Sequence, residues 1–345
     1  MYKIENEKLP ALFSAVSGYM DLYLPLRRKG QAGYGIWAEG ETPALEELNT
    51  VSSPKDFFFP QSENLYTCYR EGKKLSIEPE ELKDKPFALF GIRACDAKGL
   101  EILDRVFLAE PADTFYQARR EQGILITRAC GEPEETCFCT AFGIDPTEPA
   151  GDVSTWTVGE FLCWEPRTQK GRELTEKLSG LLKPADEADE KALEAWKGEA
   201  GAAADRLPYG KLDLEPFCRA ELLDLFHSPK WQELYPACLG CGTCTFICPT
   251  CQCYDIRDYD TGSGVRRFRC WDSCMYSDFT LMAHGNIRTT QMERFRQRFM
   301  HKLVYFPENN GGVFSCVGCG RCLKKCPSSL NIVKVIKSLG GQEHE

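Results

Sequence analysis

Two stretches near the C-terminus carry the chemistry of this chain: Cys238-x-x-Cys241-x-x-Cys244-x-x-x-Cys248-Pro249 and Cys316-x-x-Cys319-x-x-Cys322-x-x-x-Cys326-Pro327. This spacing wraps three thiolates around one [4Fe-4S] cube and sends the fourth cysteine of each run to the other cube. Cys238, Cys241, Cys244 and Cys326 are therefore expected to hold one cluster, and Cys316, Cys319, Cys322 and Cys248 the second. Thiolates three residues apart converge on neighbouring corners only where the backbone between them curls, and Gly240, Gly242, Gly318 and Gly320 permit that curl. Zinc would ask instead for four ligands in paired C-x2-C knuckles and has no use for an ordered run written twice.

Four upstream cysteines, Cys95, Cys130, Cys137 and Cys139, have no such local order, so only a fold could bring them together. Pro86 to Ile92 is a continuous apolar run of strand length. Asp96 is then expected to cap a helix from Ala97 to Phe107, with Leu100, Leu103 and Phe107 at helical spacing. Asp113 to Arg120 reads as a second short helix, and Gly123 to Thr127 as a second buried strand. A βαβ unit places the residues just after each strand at one carboxyl edge, where open α/β sheets carry their ligands. Cys95 comes after the first strand and Cys130 after the second, with Cys137 and Cys139 just beyond. We expect a third [4Fe-4S] cluster on these four; the alternative is four reduced thiols lining a cleft. Cys251, Cys253, Cys270 and Cys274 are candidates for a further metal site or an exchangeable thiol pair, and otherwise pack as free thiols.

The elements that must position these thiols define an α+β multidomain chain. Residues 1–183 read as an α/β domain with a partly parallel sheet, opening with a helix near Glu7 to Met20 and short strands around Leu22 to Leu26 and Tyr34 to Ala38. Residues 184–215 turn rich in Ala, Glu and Lys and read as a charged helical connector. Residues 216–345 read as a mostly helical ferredoxin-type domain for two clusters. Its strongest helix starts at Thr290-x-x-Glu293, a capping box, with Met292, Phe295, Phe299 and Leu303 along one face.

Composition narrows the function class. Nineteen cysteines would suggest a disulfide scaffold in a short secreted protein, but 345 residues without a charged-then-apolar leader point to a reducing cytoplasm. No apolar run approaches the ~20 residues that span a bilayer, so direct membrane insertion is not expected. The net charge of −9 is uneven: from Phe217 onward 16 Lys and Arg face 12 Asp and Glu. That basic half is read as compensation for thiolate-bound clusters, not as a nucleic-acid surface, because no base-reading motif accompanies Arg266, Arg267, Arg269, Arg288, Arg294, Arg296 and Arg298. A G-x-G-x-x-G after a strand, a P-loop and a catalytic triad are all missing, which excludes hydride transfer from a dinucleotide bound in the usual way.

Ile92-Arg93-Ala94-Cys95-Asp96, Thr136-Cys137-Phe138-Cys139, Cys248-Pro249-Thr250-Cys251-Gln252-Cys253, Trp271-Asp272-Ser273-Cys274 and Cys316-Val317-Gly318-Cys319-Gly320-Arg321-Cys322 occur together and in order. This set resembles the family of iron–sulfur electron-transfer proteins found in anaerobic sulfite reductases and, as the beta subunit, in sulfhydrogenases. The resemblance implies an anaerobic, cytoplasmic subunit that relays single electrons between an NAD(P)H-oxidising flavoprotein and a catalytic reductase or hydrogenase partner. It also implies a role for Cys95, Cys130, Cys137 and Cys139. Two other readings stand beside it: a stand-alone thiol- or flavin-dependent reductase using Cys251, Cys253, Cys270 and Cys274, and an iron–sulfur redox-sensing or assembly module.

Overall fold

The computed structural model describes residues 1–81, 85–219 and 221–341. Its N-terminal half is built on an eight-stranded sheet in the order β10-β1-β9-β8-β7-β6-β2-β3. The strands are β1 (Tyr2–Glu5), β2 (Asp21–Arg28), β3 (Gln31–Ile36), β6 (Phe87–Ile92), β7 (Gly123–Arg128), β8 (Val153–Val158), β9 (Phe161–Pro166) and β10 (Lys183–Pro184). The central run β2-β6-β7-β8 is parallel and the flanks are antiparallel, so the expected partly parallel sheet is present. β6 is buried at every residue because both of its faces are covered. Ala88 and Phe90 face helices α1 (Leu9–Ser17) and α4 (Gln169–Lys177), while Phe87 and Leu89 face α2 (Ala94–Phe107) and α3 (Thr114–Gln122). The Phe58 and Phe59 rings pack into the second layer.

Asp113 caps α3, accepting from the Tyr116 N–H at 2.9 Å. Asp96 does not play that part for α2. The helix starts three residues earlier than expected, at Ala94, and Asp96 sits buried in its first turn, where Arg321 claims both its oxygens at 2.6 and 2.7 Å. An ion pair with a distant arginine replaces a local cap, because that arginine is itself buried and needs a counter-charge.

Helix α5 (Glu187–Asp205) starts with a capping box on Asp186 and Asp189. It lies against the sheet through Leu193 and Trp196, which meet Trp156, Ala129 and Cys163. The charged segment is thus helical and docked, its apolar residues held by the first domain.

The two halves interleave. β4 (Ser62–Glu71) and β5 (Lys74–Pro79) leave the N-terminal half to join β11 (Tyr254–Asp260) and β12 (Gly264–Trp271) in a second sheet ordered β11-β12-β4-β5. Arg269 of β12 ties this sheet to the first domain, set between Glu63 and Asp113 and stacked over Phe59 and Phe107. The remainder of the C-terminal half is short helices around a core of Trp231, Phe295, Phe299, Leu303, Val335 and Ile336. The Thr290–Glu293 capping box forms as expected and opens the helix Gln291–Met300. That helix continues through a π-helical turn at His301–Tyr305.

Candidate metal centres

The first cysteine run and the end of the second close on one cavity, lined by Cys238, Cys241, Cys244 and Cys326. Gly242 takes φ +72°, a left-handed conformation that a side chain resists, and the short helix Thr243–Phe246 starts from it. The Gly240 N–H points at the Cys238 sulfur at 3.4 Å. Cys241 is exposed, so this site reaches the surface. Its inner wall is Arg298, a buried guanidinium that donates to the Cys244 carbonyl at 3.3 Å.

Cys316, Cys319, Cys322 and Cys248 form a second group, the first three each feeling the charge of Cys248. Burial pushes the Cys316 thiol up to about 12 and raises Cys319 and Cys322 as well. Such thiols stay protonated until a metal displaces the proton. Lys302, on the π-helical turn, reaches in to donate to Thr250 Oγ1 at 2.8 Å and to the Ser315 carbonyl at 2.9 Å. Burial works against its charge, but the negative charge that Cys248, Cys251 and Cys316 carry when ionised outweighs burial and raises Lys302 above the ordinary lysine value. The charges Lys302 meets nearby are cysteines and Arg298. A buried cation with thiolates as its counter-charge fits an anionic cluster at this spot.

The sheet edge gathers the third group. Cys95 in the first turn of α2, Cys130 after β7, and Cys137 and Cys139 in the loop beyond line one cavity with Arg93 and Cys319. Burial raises all four thiols, Cys137 and Cys139 to about 12. Arg93 is anchored by the carbonyls of Ala129, Leu45 and Glu47, and its charge draws Cys130 back toward ionisation.

This cavity shares a wall with the second group. The Phe138 N–H donates to the Gly318 carbonyl at 2.8 Å, and Asn49 donates to the Cys319 carbonyl at 3.0 Å. A side chain at Gly318 would collide with the Phe138 backbone, so the two loops meet at the closest approach the chain allows. The three groups therefore form a row: exposed Cys241 at one end, Arg298 between the first and second, and the Gly318 backbone between the second and third.

Of the four further candidates Cys251, Cys253, Cys270 and Cys274, the structure brings together Cys251, Cys253 and Cys274. Cys251 contacts Cys248, and Cys253 contacts Cys274. Cys270 is set apart on β12, opposite Asp255 and beside Arg257, so a four-thiol site with it does not form. An open cleft of about 700 Å³ between α2 and α3, edged by Asp104, Arg120, Asp152 and Lys170, has no cysteine in its walls.

A family model described as a 4Fe-4S dicluster domain matches residues 237–330. Across 338 residues the chain is 31% identical to the sulfhydrogenase 2 subunit beta of Pyrococcus furiosus, covering 97% of this chain and 96% of that one. The chain belongs to the sulfhydrogenase beta-subunit family. It carries two [4Fe-4S] clusters and is an iron–sulfur electron-transfer subunit. Among the described residues no helix is long and apolar enough to cross a membrane.

In this member of the family, sequence reasoning named Arg298 among the compensating arginines but missed the buried lysines. Lys302 falls four residues after Arg298 among Phe295, Phe299 and Leu303, and a charge on the apolar face of a helix was the available signal. Lys55 carried no signal at all: it is buried over the Trp271 ring at 3.9 Å and donates to the Cys251 carbonyl at 2.9 Å.

Proposed function

We propose that this protein relays single electrons between an NAD(P)H-oxidising flavoprotein and a separate catalytic partner of the soluble hydrogenase or anaerobic sulfite reductase type, in an anaerobic cytoplasm. Cys238, Cys241, Cys244 and Cys326 hold one cluster, Cys316, Cys319, Cys322 and Cys248 the second, and Cys95, Cys130, Cys137 and Cys139 a third. The observation that carries this reading is the row of three thiol rings with shared walls. [4Fe-4S] centres supply one-electron storage, with potentials set by burial, hydrogen bonds to sulfur and nearby charge. The chain contributes the spacing, the dry surroundings and the fixed charges of Arg93, Arg298 and Lys302. Exposed Cys241 and its neighbour Leu239, 70% exposed, mark one port, and the sheet edge marks the other.

The test is anaerobic. Iron and labile sulfide are counted per chain, then EPR follows reduction by NAD(P)H with and without an added flavoprotein. About twelve irons, reduced only when the flavoprotein is present, is the expected result. Reduction by NAD(P)H without a partner, or a tightly bound flavin, would establish the stand-alone reductase instead. Clusters that stay oxidised with every partner present would leave the sensing or assembly module.

A further inference from the structure

Cys253 and Cys274 belong to none of the three rings, yet the fold presses them together. Cys253 closes the loop that runs from Pro249 into β11, and Cys274 comes just after β12. The Asp272 N–H donates to the Cys253 carbonyl at 3.0 Å, extending the β11–β12 ladder by one rung and clamping the two segments. Buried Ser273 fixes the Cys274 side: it accepts from Thr245 Oγ1 at 2.8 Å and from the Met275 N–H at 3.1 Å. Across this clamp the two thiol side chains interact directly, an interaction that favours the charged form of Cys253 over that of Cys274.

Thiols that touch each other are too close for two corners of a cube. They are well placed for a bond to each other. The pair is also connected. Cys274 feels the charge of Cys251, and the Cys251 thiol contacts that of Cys248. Lys55 and Lys302 both face Cys253 and favour its thiolate, the form that attacks in disulfide chemistry.

We propose that Cys253 and Cys274 form a reversible disulfide that exchanges electrons with the cluster held through Cys248, adding a two-electron thiol centre to a chain of one-electron ones. In the oxidising direction each thiol gives up its proton at the partly open edge of the site and the Sγ–Sγ bond forms. Two electrons leave one at a time through Cys251 and Cys248 to an oxidised [4Fe-4S] centre and its next acceptor. In the reverse direction two electrons by the same route and two protons break the bond. The proposal rests on the assignment of Cys248 as a cluster ligand.

The full-length, iron-replete chain is poised anaerobically with one-electron mediators at an oxidising and a reducing potential, quenched in acid, alkylated and digested without reductant. We expect a peptide linking Cys253 to Cys274 in the oxidised sample, two alkylated cysteines in its place in the reduced one, and the same iron content in both. Cys253→Ser should abolish the link without changing iron, and Cys270→Ser should change neither. Both cysteines alkylated at both potentials would overturn the proposal, as would a loss of about four irons in Cys253→Ser, which would make the pair metal ligands. Cys322→Ser separates the two readings. A pair that still forms its disulfide but no longer follows the mediators is coupled through the second cluster; one that follows them unchanged is not, and the assignment of Cys248 is judged separately by iron count.

Discussion

The two thiol-bearing regions of this molecule are built in opposite ways. The C-terminal runs carry their geometry in the local chain: cysteines at fixed short spacing, and glycines at φ +59° to +77° where the loops turn. At the sheet edge, nothing in the spacing of Cys95, Cys130, Cys137 and Cys139 specifies a ring. Two parallel strands end side by side and deliver them. The first design tolerates change elsewhere in the fold, whereas the second depends on the register of β6 against β7. Yet the two share a wall at Gly318, so the locally encoded site leans on the topologically encoded one.

The largest test of that contrast removes a proposed ligand from the shared region. Cys322→Ser should cost about four irons per chain, and because Arg298 and Lys302 would lose their counter-charge it should also lower stability sharply. Iron analysis and thermal unfolding check both effects; full iron with an unchanged melting temperature would break the assignment. Cys137→Ser should also cost about four irons but leave the EPR signals of the C-terminal pair in place. Unchanged iron in that variant would reduce the sheet-edge thiols to a lining.

The same division separates the features legible in the sequence from those that were not. The eight C-terminal cysteines, the capping box at Thr290 and the strand–helix–strand around Cys95 were legible because spacing and periodicity are local. Asp96 looks like a cap in the sequence because its true partner, Arg321, lies 225 residues away. The second sheet escaped for a similar reason: β4, which carries β5 at its other edge, pairs with β12 from the other half of the chain. Proximity in sequence groups Cys270 with Cys274, but Cys270 stays within the β12 ladder opposite Asp255, whereas Cys274 lies in the loop beyond it.

Asp96→Asn probes the strut between the regions at a smaller scale. It leaves Arg321 buried without its carboxylate, for an expected loss of about 3–5 kcal/mol in denaturant unfolding. Iron content should hold in the folded protein, because neither residue is a thiol. A loss under about 1 kcal/mol would mean that the halves are joined mainly by the Arg269 network and the shared sheet.

Lys302→Met should produce the smallest effect and the most discriminating one. Methionine keeps much of the length of the side chain but removes a buried positive charge beside Cys248 and Cys316. Adding an electron to a cluster there makes the site more negative, and a nearby cation favours that state. Removing the cation therefore lowers the reduction potential, by on the order of tens of millivolts. At the sheet edge the positive neighbours of Cys130 are Arg93 and Arg128, which this substitution leaves alone. An EPR-monitored redox titration should show one wave moving down while a second stays, with iron unchanged. If all waves moved together, the two regions would be a single electrostatic unit, and the contrast between a locally built and a topologically built site would end at their geometry.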